Sequence, residues 1–190
     1  MTHLLSIYDR LVLWLEDISG AIMPTLARLV FAATLLLYYF NAGIQKLGDG
    51  VQGLFQPSTS AYVTIFPRAF EAVGYDASQF GAFHWAVALA GTWGEILLPI
   101  LIIVGLFTRI AALGMVVVVF VQSWVDVVGH GVAGDDLGSW FDGLPSATVL
   151  DQRAFWVFLL LILVFRGAGP LSLDRILTSR AGRSQPMVAA

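Results

Sequence analysis

WAVALAGTWGEILLPILIIVGLF, residues 85–107, is apolar throughout except near its middle, where Glu95 stands one helical turn before Pro99. Proline has no N–H to return to the Glu95 carbonyl, so as a helix this segment holds a carboxylate and a freed carbonyl at one depth. Extended back to Phe83, the run meets the roughly 20 residues that a bilayer crossing needs. Glu95 is then twelve residues from either end, about 18 Å along the helix from each boundary. An ionisable side chain at mid-membrane is costly enough to be a functional-site hypothesis by default.

The rest of the chain agrees with a membrane setting. Hydrophobic residues make up 58% and charged residues 12%, about half the charge of an ordinary soluble domain, and mean hydropathy is +0.81. Four apolar runs stand out: 26–43, 83–107, 110–128 and 154–165, the last led in by 148–150. The fourth has only twelve uninterrupted apolar residues, about 18 Å of helix, so its outer turn must carry Asp151, Gln152 and Arg153. The expected fold is all-α, a four-helix transmembrane bundle with an N-terminal amphipathic interfacial helix. Four spans put both termini on one side with Arg10, Arg28, Arg109, Arg166, Arg175, Arg180 and Arg183, against Lys46, Arg68 and Arg153 on the other. Seven basic residues against three place both termini in the cytoplasm of a bacterial-type inner membrane. The basic residues are scattered, so no nucleic-acid surface is implied. The chain has no cysteine, which excludes a disulfide framework, a thiol relay, a thiolate metal site and a cysteine-held iron–sulfur cluster.

Residues 1–20 read as an amphipathic interfacial helix, with Ser6, Asp9, Arg10, Glu16 and Asp17 on one face and Leu4, Leu11, Leu15 and Ile18 on the other. Ser19 and Gly20 are expected to end it, and Pro24 suits the first turn of span one. Residues 24–176 form the four-span domain and 177–190 a cytoplasmic tail, expected to be disordered after Arg180. Between spans one and two, Asp76 and Gln79 have the spacing of a capping box that would start span two early. Thr108 and Arg109 alone join spans two and three, with Thr108 as N-cap, so the two are an antiparallel pair. The loop 129–146 carries Asp135, Asp136 and Asp142 among glycines without the EF-hand ligand order, and reads as a solvated acidic loop. After span four, Ser172 can cap a short helix with Asp174 in its first turn.

Polar residues recur on three spans. Gln122, Asp126 and His130 share a face of span three at i, i+4, i+8. Tyr38, Asn41 and Gln45 lie at i, i+3, i+7 on span one with Lys46 beside them, and His84, Ala88, Gly91 and Glu95 form the line on span two. Below Tyr38, Glu95 and Gln122 the spans are almost wholly apolar. Polar side chains avoid lipid, so the stripes are expected to face one another around a cavity open to the outside and closed toward the cytoplasm. Glu95 has two readings here: a proton or ligand role, or a structural one in which it pairs with Lys46 or hydrogen-bonds Asn41 and Gln122. His84 and His130 lack the spacing of a metal site, and Trp85, Trp93, Trp124 and Trp156 read first as belt or packing residues.

Three stretches, Asn41-Ala-Gly-Ile-Gln-Lys-Leu47, Glu95 followed by Gly105-Leu-Phe-Thr-Arg-Ile-Ala-Ala-Leu113, and Gly167-Ala-Gly-Pro-Leu-Ser-Leu-Asp174, resemble the DoxX-like family of small four-helix membrane proteins over residues 24–176. The resemblance implies a redox-linked membrane subunit associated with quinone. On that reading Tyr38, Asn41, Lys46, His84, Trp93 and Gln122 are the candidate quinone-binding residues, with Glu95 and Asp126 exchanging its proton. No haem, flavin or iron–sulfur motif is present, so electrons would come from a partner protein or a donor at the outer face. Two other classes compete: a non-enzymatic accessory or assembly protein, whose stripes would be structural and whose outer loops would hold a partner, and a small transporter or metal-delivery protein using Glu95, Asp126 and His130. The last lacks the paired halves of an inverted repeat.

Overall fold

The computed structural model describes residues 2–183. It is all-helical among these residues, with one isolated bridge between Leu47 and Pro57. Four helices are long and apolar enough to cross a membrane: Leu5–Gln45, Ala82–Val104, Thr108–Gly129 and Thr148–Arg166, here spans one to four. Span one comprises α1 (Thr2–Phe31), a π-helical turn (Ala32–Leu36) and α2 (Leu37–Gln45). Two short helices, α3 (Thr59–Ile65) and α4 (Pro67–Ala72), follow in the first long loop. Span two is α5 (Ala82–Val104), and span three is α6 (Thr108–Trp124) with a π-helical turn (Val125–Gly129). Span four is a π-helical turn (Thr148–Gln152) with α7 (Arg153–Arg166), and α8 (Leu173–Arg183) closes the described chain. Consecutive spans pack as neighbours, and span four returns to span one, closing a four-sided bundle.

Several local expectations change. Ser19 and Gly20 do not end a helix, because α1 runs through both and places Pro24 in its interior. The bond lost to Pro24 is the one to the Gly20 carbonyl, where no side chain adds crowding, and a glycine costs a helix only about 1 kcal/mol. On the apolar face of the leader, Leu11 and Leu15 are exposed. Asp76 does not start span two: it caps a separate 3-10 turn, Ala77–Gln79, by accepting from the Ser78 amide at 2.9 Å and the Ser78 hydroxyl at 2.7 Å, while α5 begins at Ala82 behind Gly81. These bonds hold the Asp76 carboxyl below the usual carboxylate range. The helix after Ser172 extends to Arg183, past the expected start of disorder; residues 184–190 lie outside the described chain.

The end of the bundle with the tight turn is fastened by residues far apart in sequence. Arg28 donates to the carbonyls of Ile102 at 2.9 Å, Ala168 at 3.0 Å, and also Ile103 and Leu171, so one guanidinium satisfies the end of α5 and the segment after α7. Asp174 accepts from the Phe107 and Thr108 amides at 2.8 and 3.0 Å and thereby caps α6. Thr108 does not cap it; its Oγ1 is buried without a hydrogen bond. Gly105 makes the turn possible, with φ +72° and so little room that a Cβ placed on it would lie 2.6 Å from Ser172 Cβ. As expected, Ser172 Oγ accepts from the Arg175 amide, at 3.2 Å. Phe31, Leu35, Ile102, Met115, Leu160 and Leu163 fill the bundle above this lock, fully buried, and seal that half.

Candidate functional site

Toward the loop end, spans one, two and three part around a cavity of about 470 Å³. Ala42, Ile65, Val87, Ala90, Gly91, Val117, Val118, Val121 and Val125 line it, with Tyr38, Tyr39, Lys46, Thr64, Glu95, Gln122 and Asp126 supplying the polar groups. Its volume falls in the ordinary range for small-molecule sites, roughly 300–1,000 Å³.

Gly43 is what brings the first ion pair together. A Cβ there would lie 2.5 Å from Ile96 Cγ1 and 3.1 Å from the Thr92 carbonyl, so only glycine lets α2 press this closely on α5. Lys46, one turn on, then reaches Glu95: Nζ and Oε2 are 2.5 Å apart, with side chains 6% and 14% exposed. Only one of the three N–H donors of Lys46 is used in this bond. The second pair joins spans three and four. Arg153 donates to Asp126 through one terminal nitrogen and to Ser123 Oγ at 3.0 Å through the other, and its Nε is buried without a partner.

Between the pairs runs a neutral relay. The Tyr39 hydroxyl donates to Gln122 Oε1 at 3.2 Å, and Gln122 Nε2 donates to the Tyr38 hydroxyl at 2.7 Å. Tyr38 accepts there, which leaves its own O–H free to donate. Both tyrosine rings pack on Trp156 of span four, at centroid distances of 5.5 and 6.3 Å. A π-helical turn directly precedes Leu37 and Tyr38, another contains Asp126, and a third directly precedes Arg153. Each shifts helix register where a polar side chain must be aimed inward, the usual setting of such turns.

Of the residues singled out from sequence, Glu95, Asp126, Tyr38, Lys46 and Gln122 line this one cavity. Asn41, His84 and Trp93 lie outside it. Asn41 is exposed, because span one meets the cavity through Tyr38, Tyr39, Ala42 and Lys46, so that of the Tyr38–Asn41–Gln45 stripe only Tyr38 reaches it. His84 is drawn into an aromatic cluster formed by the first loop, stacked on Phe80 at 4.2 Å and edge-on to Phe66 at 5.0 Å, with Nδ1 buried and unpaired. Trp93 turns to the same loop and donates Nε1 to the Leu54 carbonyl at 2.8 Å. His130 also leaves the stripe, its ring nitrogen 3.2 Å from the Thr64 carbonyl. Among the described residues no three His, Asp or Glu side chains converge as metal ligands would.

Sequence reasoning missed Tyr39 and Arg153. Arg153 was assigned to the outer turn of span four, yet it is 4% exposed; the available signal was that Asp126, within a span, required a cation. Lys46 is likewise committed to a buried pair. Two of the three basic residues counted to the outer side therefore belong to the bundle interior.

The DoxX family model matches residues 23–127, more than half of the chain. The chain belongs to the DoxX family. The match takes in the second half of span one, all of span two, most of span three and the Lys46–Glu95 pair, and stops before span four and the Gly167–Asp174 segment. No curated protein and no solved structure matches the chain significantly. As a DoxX-family chain with four such helices it is a multi-pass membrane protein.

Proposed function

We propose that this DoxX-family protein is a quinone-associated subunit of the inner membrane, both termini cytoplasmic, that holds the quinone head in the cavity between spans one, two and three. The supporting observation is the pairing of hydrocarbon-like walls with a few polar groups in one cavity, the pattern of a site for a ligand with one polar and one apolar part. The donor set fits a carbonyl acceptor: Lys46 has N–H groups to spare and Tyr38 a free O–H. A bound quinone would supply two-electron chemistry accompanied by uptake of two protons.

The two ion pairs differ in what they can do. Arginine does not release its proton in proteins, so the Arg153–Asp126 pair is a fixed tie that holds spans three and four in register. Lysine, unlike arginine, can exchange its proton, so the Lys46–Glu95 pair is the proton-exchanging element. Gln122 orients Tyr38, and the apolar walls exclude water. The sealed turn-end half offers no polar path onward, which disfavours a transporter reading.

Electrons come from a partner at the loop end. Trp140, Phe141 and Leu144 stand out from the loop between spans three and four at 61%, 103% and 68% exposure. Phe141 is held there with φ +68°, a conformation a bulky residue adopts only under constraint. These exposed groups equally suit an accessory protein that docks a partner without redox chemistry, which is the second reading. Glu95→Gln separates the two: with membrane abundance and melting temperature near wild type, loss of quinone-linked turnover supports the proton role, and full turnover removes it.

A further inference from the structure

On span three, Ile110, Leu113, Val117, Val121 and Trp124 are exposed and recur every three or four residues, which makes them one helix face. In a membrane-spanning bundle that face meets lipid. Val117 and Val121, 55% and 51% exposed, also line the cavity, as does exposed Ala90 on span two. The cavity wall is therefore interrupted on its lipid side, between spans two and three.

The helices make this opening by diverging from their tight turn. Nearer the turn they are close: a Cβ on Gly114 would lie 3.0 Å from Leu98, and one on Gly94 would be 3.8 Å from Val118. Beyond Gly94 and Val118 they part around Gly91 and Val121. The loop end is crossed instead by α3, whose Thr64 and Ile65 line the cavity. Two contacts fasten α3 and the start of α4 to the end of span three: His130 to the Thr64 carbonyl of α3, and Pro67 of α4 against Gly129, where a Cβ would lie 2.6 Å from Pro67 Cγ.

We propose that the ligand of this cavity enters and leaves sideways, from the hydrocarbon through the gap between spans two and three. It is accordingly a membrane-dissolved molecule, with its polar head at Lys46 and Tyr38 and its apolar tail leaving past Val117 and Val121. This rests on the cavity being the ligand site, and it replaces the expectation of a cavity open to the outer water.

Because the chain has no cysteine, Ala42→Cys gives a single attachment point for a nitroxide inside the cavity, and Val118→Cys a second should the first fail to fold. In lipid nanodiscs, collisions of the label with molecular oxygen, which concentrates in hydrocarbon, are compared with those of a water-soluble nickel chelate. The expected result is oxygen contact far in excess of nickel contact, reduced severalfold by Val121→Trp and unchanged by Thr64→Trp. Nickel contact that Thr64→Trp abolishes and Val121→Trp leaves alone overturns the lateral route. Quinone retained by the same preparation is read separately. Retention with nickel access keeps the quinone site and removes the route, whereas oxygen access without retention keeps the route and removes quinone as its ligand.

Discussion

Removing one member of the Lys46–Glu95 pair should cost far more than removing both. The side chains are 6% and 14% exposed and 2.5 Å apart, so Glu95→Leu leaves an ammonium among apolar walls without its carboxylate. Breaking a buried pair costs about 3–5 kcal/mol, and a lone ionised side chain at the centre of a spanning helix, where Glu95 stands, about 2.5–3.5 kcal/mol. The two ranges meet near ~3 kcal/mol, the loss expected for Glu95→Leu and, with the charge reversed, for Lys46→Met. The double variant leaves no charge and should lose no more than about 1 kcal/mol, since apolar replacement of a whole buried pair is often neutral. Reversible unfolding in mixed micelles by a denaturing detergent, followed by circular dichroism, measures all four proteins as a double-mutant cycle. A double variant that loses the sum of the two single losses would falsify the pairing, because each side chain would then be acting alone.

At the turn end, Asp174→Ala removes the acceptor for two amides at the start of α6, those of Phe107 and Thr108, and should lower stability by about 1–2 kcal/mol, whereas Thr108→Val, which deletes an unpaired buried hydroxyl, should be neutral or stabilising; the reverse order in thermal melts would return the capping role to Thr108. Orientation can be read from cysteines placed at Ser58 and Ser184: an impermeant thiol reagent on intact cells should label the first and not the second, and labelling at Ser184 alone inverts the topology. Asp76 is stabilised as a carboxylate by Ser78 and Gln79. Its contribution to stability is complete above the ordinary carboxylate pKa and fades as pH falls through the lowered one. Ser78→Ala, which removes the hydroxyl bond and keeps the amide, should move its NMR titration midpoint up toward the ordinary value, and an unmoved midpoint would dismiss the hydroxyl bond as the leading cause.

The architecture was legible because lipid imposes a simple rule on sequence: long apolar runs cross, and the charges inside them find partners. That rule located all four helices, including the short fourth one, and put Glu95, Gln122 and Asp126 on facing helices. It could not supply register. Three π-helical turns, at Ala32–Leu36, Val125–Gly129 and Thr148–Gln152, each rotate the next stretch of helix, and a count at 3.6 residues per turn cannot register them. Tyr39 and Ala42 join Tyr38 and Lys46 on the cavity while Asn41 faces away, and Arg153 turns inward. His84 and Trp93 were misplaced for another reason. Their partners, Phe80, Phe66 and Leu54, belong to the first long loop, whose path over span two depends on contacts that no periodicity encodes. The turn-end lock shows the same limit, since Arg28 and Asp174 act on backbone groups contributed by distant segments.

The most direct test of the quinone-site proposal is the quinone carried by the protein itself. Wild-type chain and Ala42→Trp, which fills the cavity with an indole, are extracted with their own lipid in polymer-bounded discs, and quinone per chain is measured after solvent extraction and normalised to phospholipid. The account predicts quinone near one per chain above the lipid background for wild type and background alone for a folded Ala42→Trp protein. Equal quinone in the two, at the level of the surrounding bilayer, would contradict it.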